Sequence, residues 1–189
     1  YPKAEEYYRR GAALAVQSGN LFQLARFKNT TAVALQHTGD TAGALRNYNA
    51  ALALFEAVGN QPAAIEVIIN KGGLLMDQRR FQEALDLLSS LLLKDEVADS
   101  VLLGVLYTRI AHGWQQLKQY RMALGYDLRA LAVRRKMGYP LSISSSMINV
   151  ASDYFLLDRA DSGEYYIKHG LDVALRYNMR NLVQNAYRH

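Results

Sequence analysis

Apolar residues return at helical spacing along the whole chain, and strand-like alternation is absent from it. From Leu21 to Thr38, and again from Thr41 to Val58, alanines and leucines recur three and four positions apart with polar residues between them. Gly39–Asp40 separates the two runs. Thr41 is expected to supply the N-terminal capping oxygen of the second, and Gly59 its left-handed stop. The three prolines, Pro2, Pro62 and Pro140, all stand where a helix should begin, because the N–H that proline lacks has no helical partner in the first turn. The pattern predicts an all-α chain of about ten segments joined by turns of roughly two to five residues.

A second regularity lies over the first. Small residues stand at Ala4, Ala44, Ala84, Ala123 and Gly163, 39 or 40 positions apart. Seven positions further come Gly11, Ala51, Leu91, Ala130 and Gly170, and eight beyond those stand the helix stops Gly19, Gly59, Gly138 and Asn178. Self-similarity at such a period marks stacked helical repeats, each burying its apolar face on its neighbours. Each period divides into a helix A and a helix B. Ala32, Gly72, Ala111 and Ala151 on the A helices should face Ala44, Ala84, Ala123 and Gly163 on the B helices. Three positions after the first set, Leu35, Leu75, Trp114 and Tyr154 are large enough to fill the gap between the helices, which marks Trp114 as core.

The expected organisation is a single array. A lone B helix covers 1–19, full pairs cover 20–59, 60–98, 99–138 and 139–178, and a further helix starts over 179–189. The second pair ends in Leu93–Lys94–Asp95–Glu96 without a glycine, which predicts a longer or irregular turn. A chain that opens and closes inside a repeat reads as a piece of a longer protein.

Composition narrows the chemistry. With no cysteine, disulfides and thiolate metal sites are excluded. The four histidines, His37, His112, His169 and His189, lack metal-ligand spacing, so neither metal nor cofactor is expected. Catalytic signatures are missing as well. Glu5–Glu6 is surface charge, Gly72–Gly73 lies inside a helix, and Ser142 with Ser144–Ser146 has no His or Asp arranged with it, so no enzyme activity is expected of this segment. The net charge of +5 gathers at Arg9–Arg10, Arg79–Arg80 and Arg134–Arg135–Lys136. These clusters fall near helix ends, where cations favour the dipole and stay solvated, so no nucleic-acid partner is expected. No apolar run reaches the ~18 residues of a membrane span, so no direct insertion is expected.

Together these positions resemble the tetratricopeptide repeat. Ala32, Leu35, Gly39–Asp40, Ala44, Tyr48, Ala51 and Leu52 carry the likeness in the first full pair. Ile110, Ala111, Trp114, Tyr120, Ala123, Ala130 and Leu131 repeat it in the third. The chain departs from the pattern at Lys71 and Asp127, which stand at apolar positions, where looser packing or outward snorkelling is expected. The resemblance implies a right-handed superhelix of antiparallel helix pairs, a TPR-like α-α solenoid whose A helices line a concave, peptide-binding face.

Carried over position by position, the implied groove residues are Arg26, Asn29, Val33 and His37, then Ile69, Asn70, Gly73 and Asp77. Thr108, Arg109, His112 and Gln116 follow, then Ile148, Asn149 and Ser152, with Asn185 and Arg188 continuing the row. The binding set is Arg26, Asn29, Asn70, Arg109, His112, Asn149, Asn185 and Arg188. Two readings of its asparagines stay open: they pair with an extended peptide backbone, or they bond within the A-helix layer. The arginines would grip carboxylates. The family's carboxylate clamp is not supported, because Asn29, Val33, Ile69 and Gly73 occupy its positions.

The long repeats and the stretch from Leu131 to Asn149 are similar to arrays attached to bacterial sensor histidine kinases and transcriptional regulators. That likeness implies a ligand-sensing module on the cytoplasmic or periplasmic side of a parent protein. The alternatives are a free-standing adaptor or scaffold for complex assembly and a receptor for a short secreted peptide. Apolar end faces would also support a homodimer.

Overall fold

A computed structural model of the chain describes residues 10–11, 13–93, 97 and 99–177. The described residues form helices and turns and contain no strand. After a helical stretch that includes 13–17 come α1 (Leu21–Thr38), α2 (Thr41–Ala57), α3 (Gln61–Asp77) and α4 (Phe81–Leu93). Then follow α5 (Ser100–Gln116), α6 (Tyr120–Met137), α7 (Pro140–Leu156) and α8 (Ala160–Arg176). The chain divides into two compact units, Tyr1–Leu91 and Leu92–His189. The irregular turn expected from the missing glycine falls where 94–96 and 98 lie outside the described residues.

Helix starts are set by short polar side chains. Asn20, Asp40, Asn60 and Asp99 each accept from a backbone N–H in the following first turn. The cap of α2 is therefore Asp40, bonded to Gly43 N at 2.8 Å, and not Thr41, which is already helical. Pro62 and Pro140 lie in the opening turns of α3 and α7, as the sequence predicts. The stops after helix B are the left-handed glycines Gly59 and Gly138. Between helix A and helix B, Gly39 at φ 85° is matched one repeat at a time by Arg79, Lys118 and Asp158, at φ 60°, 59° and 56°. A left-handed residue with a Cβ is strained, so register imposes these stops where composition does not.

In the first unit α1 packs on α2 and α2 on α3, around Ala25, Ala32, Ala44, Tyr48, Ala51, Phe55, Ala64, Val67 and Leu74. Burying a side chain such as Phe55, 3% exposed, is worth about 2–3 kcal/mol. Gly72 lets α3 and α4 approach, since a Cβ there would sit 2.7 Å from Leu88 Cδ2. Lys71 snorkels, its Nζ donating to Asn49 Oδ1 at 3.0 Å.

In the second unit α5 packs on α6, α6 on α7 and α7 on α8. Leu131, Met147 and Val150 form a core to which Leu128, Tyr154 and Tyr166 are applied. The α7–α8 pair is also stitched by buried Ser144, whose Oγ donates to the Gly170 carbonyl at 2.7 Å.

Candidate functional site

Six of the groove positions that the resemblance implies come together in the second unit. Thr108, Arg109 and His112 on α5, with Ile148, Asn149 and Ser152 on α7, line one cleft of about 390 Å³. Both helices are A helices, one repeat apart, so their exposed stripes face the same side by construction. Arg109 and His112 are exposed at the rim, and Asn149 is half-buried. His112 Nε2 lies 3.1 Å from Gln116 Nε2.

Sequence reasoning does not find the other side of this cleft. Asp127 and Arg134 reach it from the B helix α6, joined by Gln115 and Val105. Against the expectation of loose packing or outward snorkelling, Asp127 is 5% exposed and lines the cavity. Against the expectation of a solvated helix-end cation, Arg134 is half-buried, its Nη1 donating to Ser146 Oγ at 2.5 Å. The repeat register carries the missing signal. Asp127 and Arg134 occupy the positions that Tyr48 and Phe55 fill with core side chains in the first unit.

The floor beneath the cleft is a pair of carboxyls. Asp127 on α6 and the fully buried Asp153 on α7 lie close enough for each to act on the proton of the other, and Asn149 acts on Asp127 as well. Gln115 Nε2 donates to Asp153 Oδ1 at 3.0 Å. Burial pushes the Asp127 carboxyl well above the usual carboxylate range, and the charge and hydrogen bond of Asp153 push it further. Asn149 and the Arg134 guanidinium act the other way. Burial raises Asp153 as well, against its bonds from Gln115 and Asp127. Arg134 is lowered by burial, with Asp127 opposing the change. Asp127 Oδ1 and Asp153 Oδ2 accept no hydrogen bond.

The groove positions of the first unit behave differently. Ile69 and Gly73 are buried. Asn70 Nδ2 donates to Asn29 Oδ1 at 3.4 Å, a bond within the A-helix layer. Gln36 ties that layer more firmly, accepting from Tyr48 Oη at 2.8 Å and donating to Asp77 Oδ2 at 2.6 Å. Gln115 stands at the corresponding position of a later repeat and likewise reaches an aspartate on the next A helix. Arg26 and His37 are exposed. Asn185 and Arg188 lie outside the described residues. Among the described residues no group of three or more His, Cys, Asp or Glu could hold a metal ion, and no helix is long and apolar enough to cross a membrane.

Helix pairs with small residues at their crossings and a polar cleft between consecutive A helices give this chain the fold of a tetratricopeptide-type helical repeat protein. No protein-family model matches the sequence, and no curated protein sequence does. Solved structures do match. One is the aspartyl phosphate phosphatase F of Bacillus subtilis, with a TM-score of 0.87 at 12% identity over 99% of this chain and 49% of that one. A second is the quorum sensor NprR of B. thuringiensis. In complex with its cognate peptide NprX it gives a TM-score of 0.75 at 19% identity over 98% of this chain and 55% of that one. A third is the array of nearly identical TPR-like repeats of a kinesin light chain from Podosopora anserina, with a TM-score of 0.68 at 14% identity over 93% and 88%. The chain spans about half the length of the phosphatase and of the quorum sensor.

Proposed function

We propose that this chain is the peptide-binding part of a regulatory protein in bacterial signalling, with its ligand held in the cleft of the second unit. The observation that carries the reading is the convergence of Thr108, Arg109, His112, Ile148, Asn149 and Ser152 on one cavity, at positions that the tetratricopeptide resemblance implies for the groove. Asn149 and Ser152 suit an extended backbone, and Arg109 suits a carboxylate. The structural likeness to NprR, seen with its cognate peptide, supports the same use of the fold. The array acts by binding rather than by catalysis. Its output is a histidine kinase or a transcriptional regulator in the longer parent protein, and nucleic acid and membrane are not partners of this segment. A ligand that prefers one curvature of the helix stack would bias that output.

The test is retention of a pool of random heptapeptides by the immobilised chain, followed by titration of single retained sequences against the fluorescence of Trp114, the only tryptophan. Arg109→Ala and Asn149→Ala should each weaken binding about tenfold, the loss of one charge-assisted or buried hydrogen bond. Equal affinity in both variants sinks the assignment of the cleft.

The adaptor reading draws on a different feature. Tyr165, Leu175 and Tyr177 are 54%, 64% and 60% exposed on and just after α8, large apolar side chains that a protein partner or a second copy of the chain would cover. Tyr177→Ser with Leu175→Ser would abolish such an association, read by light scattering, and leave peptide binding intact.

A further inference from the structure

The floor of the cleft has an unmet need that groove binding does not use. Asp127 lines the cavity, is 5% exposed, and keeps Oδ1 without a partner. Asp153 beside it is fully buried and keeps Oδ2 without one. The two carboxyls are close enough for each to act on the proton affinity of the other. Two neighbouring buried carboxylates cannot both stay ionised without a large cost, so one proton stays with the pair.

The groups that face this pair come from three helices. From α5 come Arg109 and His112 at the exposed rim and Gln115, which donates to Asp153. From α6 itself comes Arg134, engaged with Ser146 and attracted to Asp127. From α7 come Asn149, beside Asp127, and Asp153. With one proton shared, the pair carries one negative charge, which Arg134 offsets. Loss of that proton would leave a second negative charge buried without a counterion, an expensive state.

Exchanging the proton for another cation leaves the charge of the floor unchanged. The incoming cation has to bring hydrogen-bond donors, because the atoms left unsatisfied on the pair are acceptors when the proton leaves. A metal ion is a poorer fit, since no third carboxylate, His or Cys gathers there among the described residues. A primary ammonium, with three N–H donors on a compact head, meets both requirements.

We propose that the cleft is a proton-exchanging cation site, in which a primary ammonium of the bound peptide docks on Asp127 and displaces the proton shared with Asp153. The inference rests on the peptide-binding reading and names the group of the peptide that the cleft selects. The ammonium of a peptide N-terminus and that of a lysine side chain share this chemistry. The carboxyl O–H bond breaks and its proton passes to water, one ion pair forms at Asp127, and no other covalent bond changes. Arg109 and the hydrogen-bonding groups of α7 then hold the rest of the chain.

The experiment uses the whole chain with aspartate carboxyls labelled with carbon-13, titrated by NMR with n-butylammonium chloride and, separately, with sodium butyrate. The expected result is that butylammonium moves the Asp127 carboxyl resonance toward its ionised position. Its affinity should rise about tenfold for each step of one in pH while the pair still holds its proton, and then level off. Asp127→Asn should remove that binding. Asp153→Asn, which removes the neighbouring carboxyl but not the burial of Asp127, should keep the slope and level off at a lower pH. The slope with pH should survive His112→Gln whatever the change in affinity; a slope lost in that variant assigns the proton to the rim imidazole and overturns the proposal. Circular dichroism melting shows whether each variant is folded, and either aspartate variant suffices if the other is not.

Binding of butyrate without butylammonium would overturn the proposal and make the cleft an anion site of Arg109 and Arg134. A silent response to both probes would reduce the pair to a structural one and also overturn it. Retained peptides separate this proposal from the groove reading. Equal affinity for wild type and Asp127→Asn defeats the cation site and leaves the groove standing. Pentaalanine with a free or acetylated N-terminus, each with and without one lysine, distinguishes the two sources of the ammonium. Butylammonium binding with the expected profile while no peptide is retained defeats the groove and leaves the cation site standing.

Discussion

Replacing Asp127 by Asn should make the protein more stable at alkaline pH, and the structure fixes both sign and scale. Asparagine is nearly isosteric, and its amide can donate to Asp153 and accept from Asn149, so the cavity stays filled. Burial first, then the neighbouring Asp153, raises the folded carboxyl from 3.8 to about 8. A group raised on folding contributes its full stability below the ordinary carboxylate value and loses it as pH climbs through the raised one. A tenfold change in proton affinity between the unfolded and folded chain corresponds to about 1.4 kcal/mol. The penalty is shared with Asp153 and reduced by Arg134, so we expect about 2–3 kcal/mol at pH 8. Urea unfolding followed at Trp114, which lies on α5 in the same unit, is the assay. Wild type should lose about 2 kcal/mol between pH 5 and pH 8, and Asp127→Asn should stay nearly flat and exceed wild type at the upper end. A variant with the same slope as wild type, or with lower stability at pH 8, would refute the account of a buried shared proton.

Other positions give independent checks. Lys118→Gly relieves a left-handed residue at φ 59° and should raise the unfolding free energy by about 0.5–1 kcal/mol, the steric relief exceeding the added chain entropy. Gly72→Val drives a branched side chain into Leu88, already 2.7 Å from an ideal Cβ, and should cost about 2–3 kcal/mol by urea midpoint. Asn60→Ala removes the oxygen that accepts from Ala63 N at 3.1 Å, with an expected loss of about 1 kcal/mol in thermal unfolding.

The helices are legible in the sequence because two independent signals agree on them. Apolar periodicity places the runs, and the recurrence of Ala44, Ala84, Ala123 and Gly163 sets their register. Punctuation is legible only where a residue type announces it. Gly39 and Gly59 can be read directly, but nothing in the chemistry of Arg79, Lys118 or Asp158 marks a left-handed turn. Those stops exist because packing of the flanking helices outweighs local preference. Half of the cleft is legible through the resemblance, which implies Thr108, Arg109, His112, Ile148, Asn149 and Ser152 as groove positions. The other half escapes because Arg134 lies in a basic run that looks like ordinary helix-end charge. Asp127 stands out as a departure from the apolar pattern, but the burial of a charged residue depends on neighbours that one-dimensional spacing does not name.

The placement of the polar floor makes the repeats non-interchangeable. Where the first unit has the apolar bodies of Tyr48 and Phe55, the second has Asp127 and Arg134, and every residue around the cleft comes from the consecutive helices α5, α6 and α7. Replacing those helices with copies of α1 to α3 would preserve the stacking and erase the binding chemistry. The reverse graft, a single contiguous block of about three helices moved into a consensus array, would carry the chemistry with it. Specificity in this chain is thus a cassette, transferable in one cut, and its recognition can be re-tuned from the B-helix layer without altering the side chains at the rim.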